Sequence, residues 1–293
     1  MNYLAEMTQG PGTTTVITGA NAGLGLATAV GVARTGAHVI LAVRSTAKGA
    51  AAVGEIREAV PAASVEVIQL DLASLASIRA FATELSGRVD ALDVLVNNAG
   101  VTIKDRSVTT DGFETTFGVN HLGHFALTNL LHDLLAAATE PRVVVVASDA
   151  HRFVRKGLDF SDLHSERKYG VMRAYGASKL ANMLFTLEAA RRWQADGITV
   201  NCLHPGFVAT RIGRDGDGGR LGEIATTLLR PFAKTPERGA RTSVFLATSP
   251  EPAGVTGKYF VNSRPKQPMA TALDEEAAAR LWKVSSEMVD IGG

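Results

Sequence analysis

Tyr175 and Lys179 stand four residues apart in "AYGASKLAN", within a stretch of helical periodicity. On a helix this spacing places both side chains on one face, one turn apart. A tyrosine hydroxyl, with a pKa of about 10, is a poor base at neutral pH, but a neighbouring ammonium lowers that pKa. Tyr175 could then exchange a proton with a carbonyl or alcohol oxygen. The same spacing also occurs on ordinary exposed helix faces, so the pair needs support from other residues.

Ser148 offers that support at the end of the apolar run "RVVVVAS", shortly before the Tyr175 helix. Its hydroxyl could hydrogen-bond the oxygen with which Tyr175 exchanges a proton. A nucleophilic role for Ser148 is disfavoured, because "VASDA" lacks the G-x-S-x-G turn of serine hydrolases.

Asn120 is a further candidate, since "FGVNHLGHF" places an amide inside an apolar helix, where it carries a helix penalty. It could open the helix to water and link Lys179 to solvent as a proton relay. It could equally be a buried structural amide, and the sequence leaves both readings open.

The elements that would position these residues alternate along the chain. Continuous apolar runs predict strands buried on both faces, and hence a parallel sheet: "TTVITG", "HVILAV", "SVEVIQL", "LDVLVNN", "RVVVVAS", "ITVNCL" and "GKYFV". Helical stretches lie between them, including 24–35, 46–59, 74–86, 111–138 and 173–195. We therefore expect an α/β fold: a doubly wound, Rossmann-type, mostly parallel seven-stranded sheet with helices on both faces, in a single domain over 1–293. About seven strands and an early glycine-rich turn argue against a TIM barrel.

Two segments break the alternation. The charged segment 149–172 and the Gly- and Arg-rich segment 211–235 are predicted to be surface excursions beside the ligand. The glycines of 211–235 and its apolar "IATTLL" favour a substrate lid there.

The glycine-rich turn is "VITGANAGLGL", in which a strand runs into three glycines and then a helix. Its spacing, G-x-x-x-G-x-G, serves a tight turn, close backbone approach to a phosphate and a helix N-terminus aimed at it. We predict a dinucleotide site that uses Gly19, Asn21, Gly23, Leu24 and Gly25.

Residues at the ends of the later strands are predicted to complete the dinucleotide site. After the second strand comes Arg44 rather than an acidic residue, and its guanidinium could pair with a 2′-phosphate; this favours NADP(H), with NAD(H) possible, unless Arg44 is only a solvated helix-start residue. Asp71 and Leu72 could flank an adenine, or Asp71 could be a helix cap or turn residue. Asn98, Ala99 and Gly100 are predicted to form a wall of the cofactor site, whereas Asn97 is expected to be structural.

The composition limits the kinds of molecule that the protein is expected to bind. The 293 residues carry a formal net charge of +1 with scattered basic residues, which gives no footprint for nucleic acid. Cys202 is the only cysteine and is expected to be packing. No metal is implied, because the candidate histidines share no ligand spacing: His121, His124, His151, His164 and His204. We expect a cytoplasmic protein without a membrane anchor, since the first residues lack signal-peptide features and no apolar run approaches 18 residues.

Taken together, the motifs resemble the short-chain dehydrogenase/reductase family over nearly the whole chain. The resemblance rests on "TGANAGLG", "NNAG", "VNHLGHF", Ser148, "YGASK", "NCLHPGFVATR" and "TPERGARTSVFLATSPEPAGVTGKYF". Within the family, "VNHLGHF", "AYGASKLANMLF" and "GVTGKYF" are most similar to the group of retinol dehydrogenases, WW-domain oxidoreductases and protochlorophyllide reductases.

The resemblance implies a tetrad of Asn120, Ser148, Tyr175 and Lys179. Tyr175 would be the acid/base, Lys179 would lower its pKa and hold the nicotinamide ribose, Ser148 would orient the substrate oxygen and Asn120 would support the relay. It also implies cofactor contacts from Pro205, Gly206, Val208 and Thr210, and it supports Asp71–Leu72 at the adenine and NADP through Arg44. Two departures from the family stand out: Asp149 directly follows Ser148, and we expect no apolar N-terminal anchor of the kind that membrane-bound retinol dehydrogenases carry.

The expected function is an NADP(H)-dependent oxidoreductase that moves a hydride between the nicotinamide and a carbonyl or alcohol of a fairly apolar small molecule. The alternative is a catalytically silent dinucleotide-binding redox sensor. Gly176, Ala177 and Ser178 would let the Tyr175 helix pack closely beside the cofactor. A homo-oligomer is possible, since apolar residues on 111–138 and 173–195 could form a dimer face or only meet the sheet.

Overall fold

The structure is a computed structural model that describes residues 10–206 and 234–291. Within them, eight strands form one sheet in the order β3-β2-β1-β4-β5-β6-β7-β8. The strands are β1 (Thr14–Thr18), β2 (His38–Val43), β3 (Val65–Gln69), β4 (Val94–Asn97), β5 (Arg142–Val146), β6 (Thr199–His204), β7 (Tyr259–Val261) and β8 (Arg264–Pro265).

The predicted doubly wound, mostly parallel sheet is confirmed, with a difference at one edge. The seven predicted strands are parallel, and the eighth pairs antiparallel with β7. This edge strand has only two residues, one of them a proline that cannot donate to a sheet ladder. It therefore carries no apolar pattern from which the sequence could predict it.

The described helices are α1 (Gly23–Ala33), α2 (Thr46–Ala59), α3 (Leu75–Ser86), α4 (Thr115–Phe117), α5 (Gly123–Leu130), α6 (His132–Ala136), α7 (Val171–Arg192), α8 (Pro236–Thr248) and α9 (Glu275–Val289). A π-helical turn, Gly118–Leu122, joins α4 to α5.

Both faces of the sheet are buried, as continuous apolar strands require. Val16 and Ile17 are neighbours on β1, yet Val16 belongs to a core cluster with residues of α3, α5, α7 and α9, and Ile17 to one with residues of α1, α2 and α8. The alternation of side chains along a strand sends adjacent residues into the two layers.

The long helix predicted over 111–138 is wrong in its first turn and in its continuity. The carboxylate of Glu114 accepts hydrogen bonds from the main-chain N–H groups of Thr116 (2.8 Å) and Phe117 (2.7 Å), so the helix begins only after Glu114. The π-helical turn and a break at Leu131 then divide it. Apolar periodicity indicates which face is buried but does not report a cap or an extra residue within a turn.

The apolar faces of α5 and α7, for which a dimer contact was considered, meet α9 of the same chain. The indole of Trp282 stacks on Phe185 with centroids 5.8 Å apart and lies 5.0 Å from the ring of Phe125. Trp193 completes this aromatic cluster, 5.6 Å from Trp282. The lid predicted at 211–235 lies outside the described residues except for Lys234 and Thr235.

Cys202 is buried on β6 and packs in the core, as expected. Burial raises the pKa of its thiol to about 12, so it is an inert packing residue.

Candidate active site

The carboxyl ends of the parallel strands meet at one edge of the sheet, where the predicted site residues converge. Gly19 follows β1, Asn98 follows β4, Ser148 lies two residues beyond β5 and Pro205 follows β6. In open α/β sheets this edge forms the ligand crevice.

The glycine-rich turn is built for close backbone approach. Gly19 and Gly23 have positive φ, +65° and +55°, a conformation that favours glycine. A Cβ on Gly25 would lie 2.5 Å from the carbonyl oxygen of Gly19 and 2.6 Å from Nδ2 of Asn98, so no side chain fits there. The three glycines thus draw α1, β1 and the segment after β4 together.

The N-terminus of α1 is free to hold an anion. Its N-cap, Ala22, has no side-chain cap, and the first turn contains no acidic residue. The first N–H groups of a helix lack intrahelical partners and carry a positive dipole end, which suits a pyrophosphate. Asn21 is half-buried beside this turn, and Leu24 is buried against Val146 and Ala240.

The predicted wall Asn98–Gly100 is held by Thr18, a residue that the sequence reasoning missed. The hydroxyl of Thr18 accepts hydrogen bonds from the main-chain N–H groups of Asn98 and Ala99, both 2.9 Å away, and Nδ2 of Asn98 donates to the Thr18 carbonyl. Oδ1 of Asn98 is buried and finds no partner among the described residues, which leaves an acceptor for a ligand. Asn97 donates to Thr128 inside the core, in keeping with a structural role.

Ser148, Tyr175 and Lys179 come together as predicted. Ser148 caps the short 3₁₀ turn Asp149–Phe153, accepting from the N–H of Ala150, and its hydroxyl is close enough to that of Tyr175 to lower the pKa of the phenol. Nζ of Lys179 lies 5.5 Å from the centre of the Tyr175 ring. One strand end and one helix therefore present all three side chains to the same crevice.

The pKa of Tyr175 is shifted upward, whereas the neighbouring ammonium of Lys179 alone would lower it. Burial raises the pKa of Tyr175, and although the Ser148 hydroxyl lowers it, the net direction is upward. Burial also lowers the pKa of Lys179 to about 8. Without a ligand, Tyr175 is a protonated acid, and Lys179 does not bring its pKa below the ordinary value.

Asn120 lies in the π-helical turn and is completely buried. Its Oδ1 accepts from the N–H of Val101 (2.7 Å), and its Nδ2 donates to the carbonyl of Val101 and to Oγ of Ser178. These hydrogen bonds hold the amide between the segment after β4 and α7. A Cβ on Gly100 would lie 3.4 Å from Oδ1 of Asn120 and 3.5 Å from Nζ of Lys179, so Gly100 fills the space between them.

Two of the small residues after Tyr175, Gly176 and Ser178, make close contacts within the chain. A Cβ on Gly176 would lie 2.6 Å from the carbonyl oxygen of Ala150 and 3.3 Å from Cβ of Phe153, so Gly176 brings α7 against the turn after Ser148. Ser178 is buried and donates to the carbonyl of Tyr175. These contacts fix Tyr175 relative to Ser148.

At the opposite end of the crevice, Arg44 is exposed directly after β2 and forms no ion pair with another described residue. Oδ1 of Asp71 accepts from the N–H of Ala73, a turn interaction, while Ser74 caps α3. Leu72 is buried, and its carbonyl touches Gly123.

The segment after β6 is described only in part. Gly206 has φ +88°, and the side chain of Lys234 lies over it, within 2.8 Å of a Cβ placed there. Val208 and Thr210 lie outside the described residues.

Comparison with known proteins decides the family. Residues 13–217 match the family model of the short chain dehydrogenases. The chain belongs to the short-chain dehydrogenase family. It is 45% identical to retinol dehydrogenase 14 of Homo sapiens over 294 residues, covering 96% of this chain and 87% of that protein. It is 42% identical to the human WW domain-containing oxidoreductase over 285 residues, covering 95% of this chain and 68% of that protein.

Solved structures agree with this family. An uncharacterized protein from Mycobacterium paratuberculosis superposes with a TM-score of 0.76 at 36% identity, covering 98% of this chain and 97% of that one. A gluconate 5-dehydrogenase-like protein from Beutenbergia cavernae, solved with NADP bound, has a TM-score of 0.68 at 29% identity and covers 87% and 96% of the two chains. This short-chain dehydrogenase is thus an oxidoreductase that uses a nicotinamide dinucleotide on alcohol or carbonyl groups.

Asp149 contacts residues of β6 and β7 in this short-chain dehydrogenase. Its Oδ1 accepts from the hydroxyl of Tyr259 (2.9 Å), and its Oδ2 lies 3.6 Å from Nε2 of His204. Burial raises the pKa of Asp149, but the Tyr259 hydrogen bond and the charges of His204, Arg152 and Lys266 outweigh burial and lower it. Tyr259 was not singled out by sequence, because an aromatic in a strand is an ordinary core residue.

Three of the other histidines make contacts within the fold. His151 contacts the carbonyl of Ser148 through Nδ1 (2.7 Å), His121 contacts Ser285 on α9, and His164 stacks on Phe113. Among residues 10–206 and 234–291 no group of side chains could hold a metal ion. In the same part of the chain, none of the helices has the length and apolar character to cross a membrane.

Proposed function

We propose that this chain is an NADP(H)-dependent oxidoreductase of carbonyl and alcohol groups on a fairly apolar small molecule, with Tyr175 as the acid/base. The observation that carries the proposal is the placement of Ser148 and Tyr175 beside buried Lys179, at the strand edge that also holds the uncapped N-terminus of α1.

The residues around the crevice fit a dinucleotide. The N–H groups of the α1 N-terminus would hold the pyrophosphate, Arg44 the 2′-phosphate, Asp71 and Leu72 the adenine, and Asn98–Gly100 with Lys179 the nicotinamide riboside. Pro205, Gly206, Val208 and Thr210 would complete the nicotinamide end. The bound nicotinamide supplies or accepts the hydride.

The chain's own residues handle the proton. During reduction, the hydroxyl of Ser148 donates a hydrogen bond to the substrate carbonyl, and Tyr175 protonates that oxygen. The raised pKa of Tyr175 suits this acid role. Alcohol oxidation needs the tyrosinate, which requires positive charge near the hydroxyl: that of Lys179 and of the oxidised cofactor. In this proposal Asn120 supports the proton path at Lys179.

Exposed apolar side chains support an apolar substrate. Phe153, in the turn that Ser148 begins, is 63% exposed, and Met172, one turn before Tyr175, is 46% exposed. The curated relatives named retinol dehydrogenases point to the same chemical class, an apolar alcohol or aldehyde.

NADP(H) is preferred in this proposal because Arg44 is free to pair with a phosphate, and a structural relative has been solved with NADP. The lone, buried Cys202 supports a reducing, cytoplasmic setting.

The test is cofactor oxidation with NADPH and NADH over a panel of aldehydes, ketones and quinones of increasing apolar length. We expect turnover of apolar carbonyls, with kcat/KM higher for NADPH than for NADH. Tight NADPH binding without turnover of any compound would overturn the proposal and favour a redox sensor.

A further inference from the structure

His124 lies in the first turn of α5 and is buried, yet both of its ring nitrogens have partners. Nε2 lies 2.9 Å from Oγ1 of Thr18, and Nδ1 lies 3.1 Å from the carbonyl oxygen of Asn120. Thr18 ends the strand before the glycine-rich turn, and Asn120 lies in the π-helical turn beside Lys179. One imidazole therefore links the two halves of the candidate active site.

The hydrogen bonds assign a single tautomer. A carbonyl oxygen can only accept, so Nδ1 must carry the proton that points to Asn120. Nε2 is then an acceptor and takes the hydroxyl hydrogen of Thr18. Burial, and to a smaller extent the charge of Lys179, lower the pKa of His124 to about 4 and keep the ring neutral.

The Thr18 end of this link shapes the cofactor wall. Because its single hydrogen goes to His124, the lone pairs of the Thr18 hydroxyl face the N–H groups of Asn98 and Ala99. The other acceptor within reach, the carbonyl of Val96, is more distant at 3.4 Å. Losing the acceptor at His124 would let the hydroxyl rotate and loosen the wall.

The Asn120 end reaches the reactive helix. The amide of Asn120 donates to Ser178, and Ser178 donates to the main-chain carbonyl of Tyr175. Hydrogen bonds thus link Thr18 to His124 and His124 to the main chain of Asn120, and the side chain of Asn120 continues the path through Ser178 to the backbone of Tyr175. These side chains are buried, so the loss of any hydrogen-bond partner would destabilise the fold or displace the groups that the partner holds.

We propose that His124 is a positioning residue that sets the cofactor wall and the Tyr175 helix relative to each other through its neutral Nδ1–H tautomer. Its effect on turnover rests on the proposed oxidoreductase function, whereas its effect on cofactor binding does not. His124 touches neither the substrate nor the cofactor in this proposal.

His121 provides a matched control from the π-helical turn itself. It is equally buried, with a pKa that burial lowers to about 3, but its Nε2 faces Ser285 on α9 instead of the crevice. His121→Phe should lower the melting temperature while keeping the NADPH dissociation constant and kcat within about twofold of wild type.

Three replacements of His124 separate its two bonds. His124→Phe removes both partners, His124→Gln keeps an amide oxygen near the position of Nε2, and His124→Asn keeps an N–H near that of Nδ1. We expect Phe to raise the NADPH dissociation constant about tenfold and to lower kcat by about 10- to 100-fold, because small displacements of reacting groups are costly. Gln should restore most of the NADPH affinity, and Asn should restore more of kcat than of affinity.

Thr18→Val removes the hydroxyl but keeps the side-chain shape. It should weaken NADPH binding at least as much as His124→Phe, and the double variant should bind NADPH no more weakly than Thr18→Val alone, because His124 acts on the cofactor wall through the Thr18 hydroxyl. Fully additive losses, or NADPH affinity and kcat unchanged in folded His124→Phe, would overturn the proposal.

A direct readout uses ¹⁵N NMR of the histidine rings in the wild-type protein. We expect His124 to show a protonated Nδ1 and an unprotonated Nε2, with no titration down to about pH 5. The opposite tautomer, or titration near pH 6.5, would refute the assignment. If wild type binds NADPH but turns over no carbonyl, the proposed function fails while the NMR and binding measurements still decide the role of His124.

Discussion

The ammonium of Lys179 donates a hydrogen bond to the main-chain carbonyl of Val146, 2.9 Å away, rather than to the hydroxyl of Tyr175. Val146 ends β5, and Ser148 follows two residues later. The strand that presents Ser148 thus also anchors Lys179, and the lysine passes 5.5 Å from the Tyr175 ring. The relative placement of the three side chains depends on a main-chain atom that no sequence motif contains.

Burial of Lys179 predicts a pH-dependent stability. Its pKa falls from 10.5 to about 8 in the folded protein, so above about pH 8 the unfolded chain binds more protons than the folded one. The cost of burying the charge is full below pH 8 and is relieved up to about pH 10.5. Relative to Lys179→Met, the free energy of unfolding should therefore rise by about 2 kcal/mol between pH 7 and pH 9.5. Urea unfolding of both proteins at the two pH values checks this; a constant difference would contradict it.

Tyr175→Phe should reduce kcat by at least about 100-fold while changing the NADPH dissociation constant by less than about threefold, because only the acid/base hydroxyl is lost. Steady-state kinetics and fluorescence titration measure the two effects. Tyr169→Phe is the control, because its hydroxyl donates to the main-chain carbonyl of Ile103. Substantial turnover by Tyr175→Phe would refute its role.

Arg44→Gln should lower kcat/KM for NADPH by about 10- to 100-fold and leave that for NADH nearly unchanged, because a charge-assisted pair with the 2′-phosphate is lost. Arg34→Gln makes the same change of charge at the exposed C-terminal end of α1 and should affect neither cofactor. Equal losses for NADPH and NADH would show that Arg44 does not read the phosphate.

Gly25→Ala should abolish NADPH binding and destabilise the fold, since its Cβ would lie 2.5 Å from the carbonyl oxygen of Gly19. Gly54→Ala, in the middle of α2 with no atom within 4 Å of the new Cβ, should instead stabilise the protein by about 0.5–1 kcal/mol. Thermal unfolding and NADPH titration of both variants test the contrast. Normal NADPH affinity in Gly25→Ala would mean that the turn can relax.

The strands were the most predictable part of the fold. Runs such as "HVILAV" coincide with β2, and parallel pairing follows from their continuous apolarity. The boundary at Glu114 and the division of 111–138 were not predictable, because a carboxylate that caps its own helix leaves the apolar periodicity unchanged. The packing of α9 on α5 and α7 was likewise not predictable, because the sequence does not show whether these apolar faces meet Trp282 of the same chain or a second copy of the protein.

The residues of the candidate site also divide into those that the sequence could predict and those that it could not. Ser148, Tyr175 and Lys179 could be named because strand ends and a one-turn helix spacing are visible in the order of residues. Thr18, His124 and Tyr259 could not, because a threonine in a strand, a histidine in an apolar helix and a tyrosine in a core have ordinary roles in most proteins.

By itself, the sequence determined the parallel sheet, the edge at which the crevice opens and the chemical types of the groups placed there. These depend on local periodicity and on chain order, which a single sequence contains. Only the tertiary structure decided the tautomer of His124, the orientation of Asp149 toward Tyr259 and the burial that raises the pKa of Tyr175. Each of these depends on desolvation and on hydrogen-bond partners far apart in the chain, and such partners meet only when the whole sheet has formed.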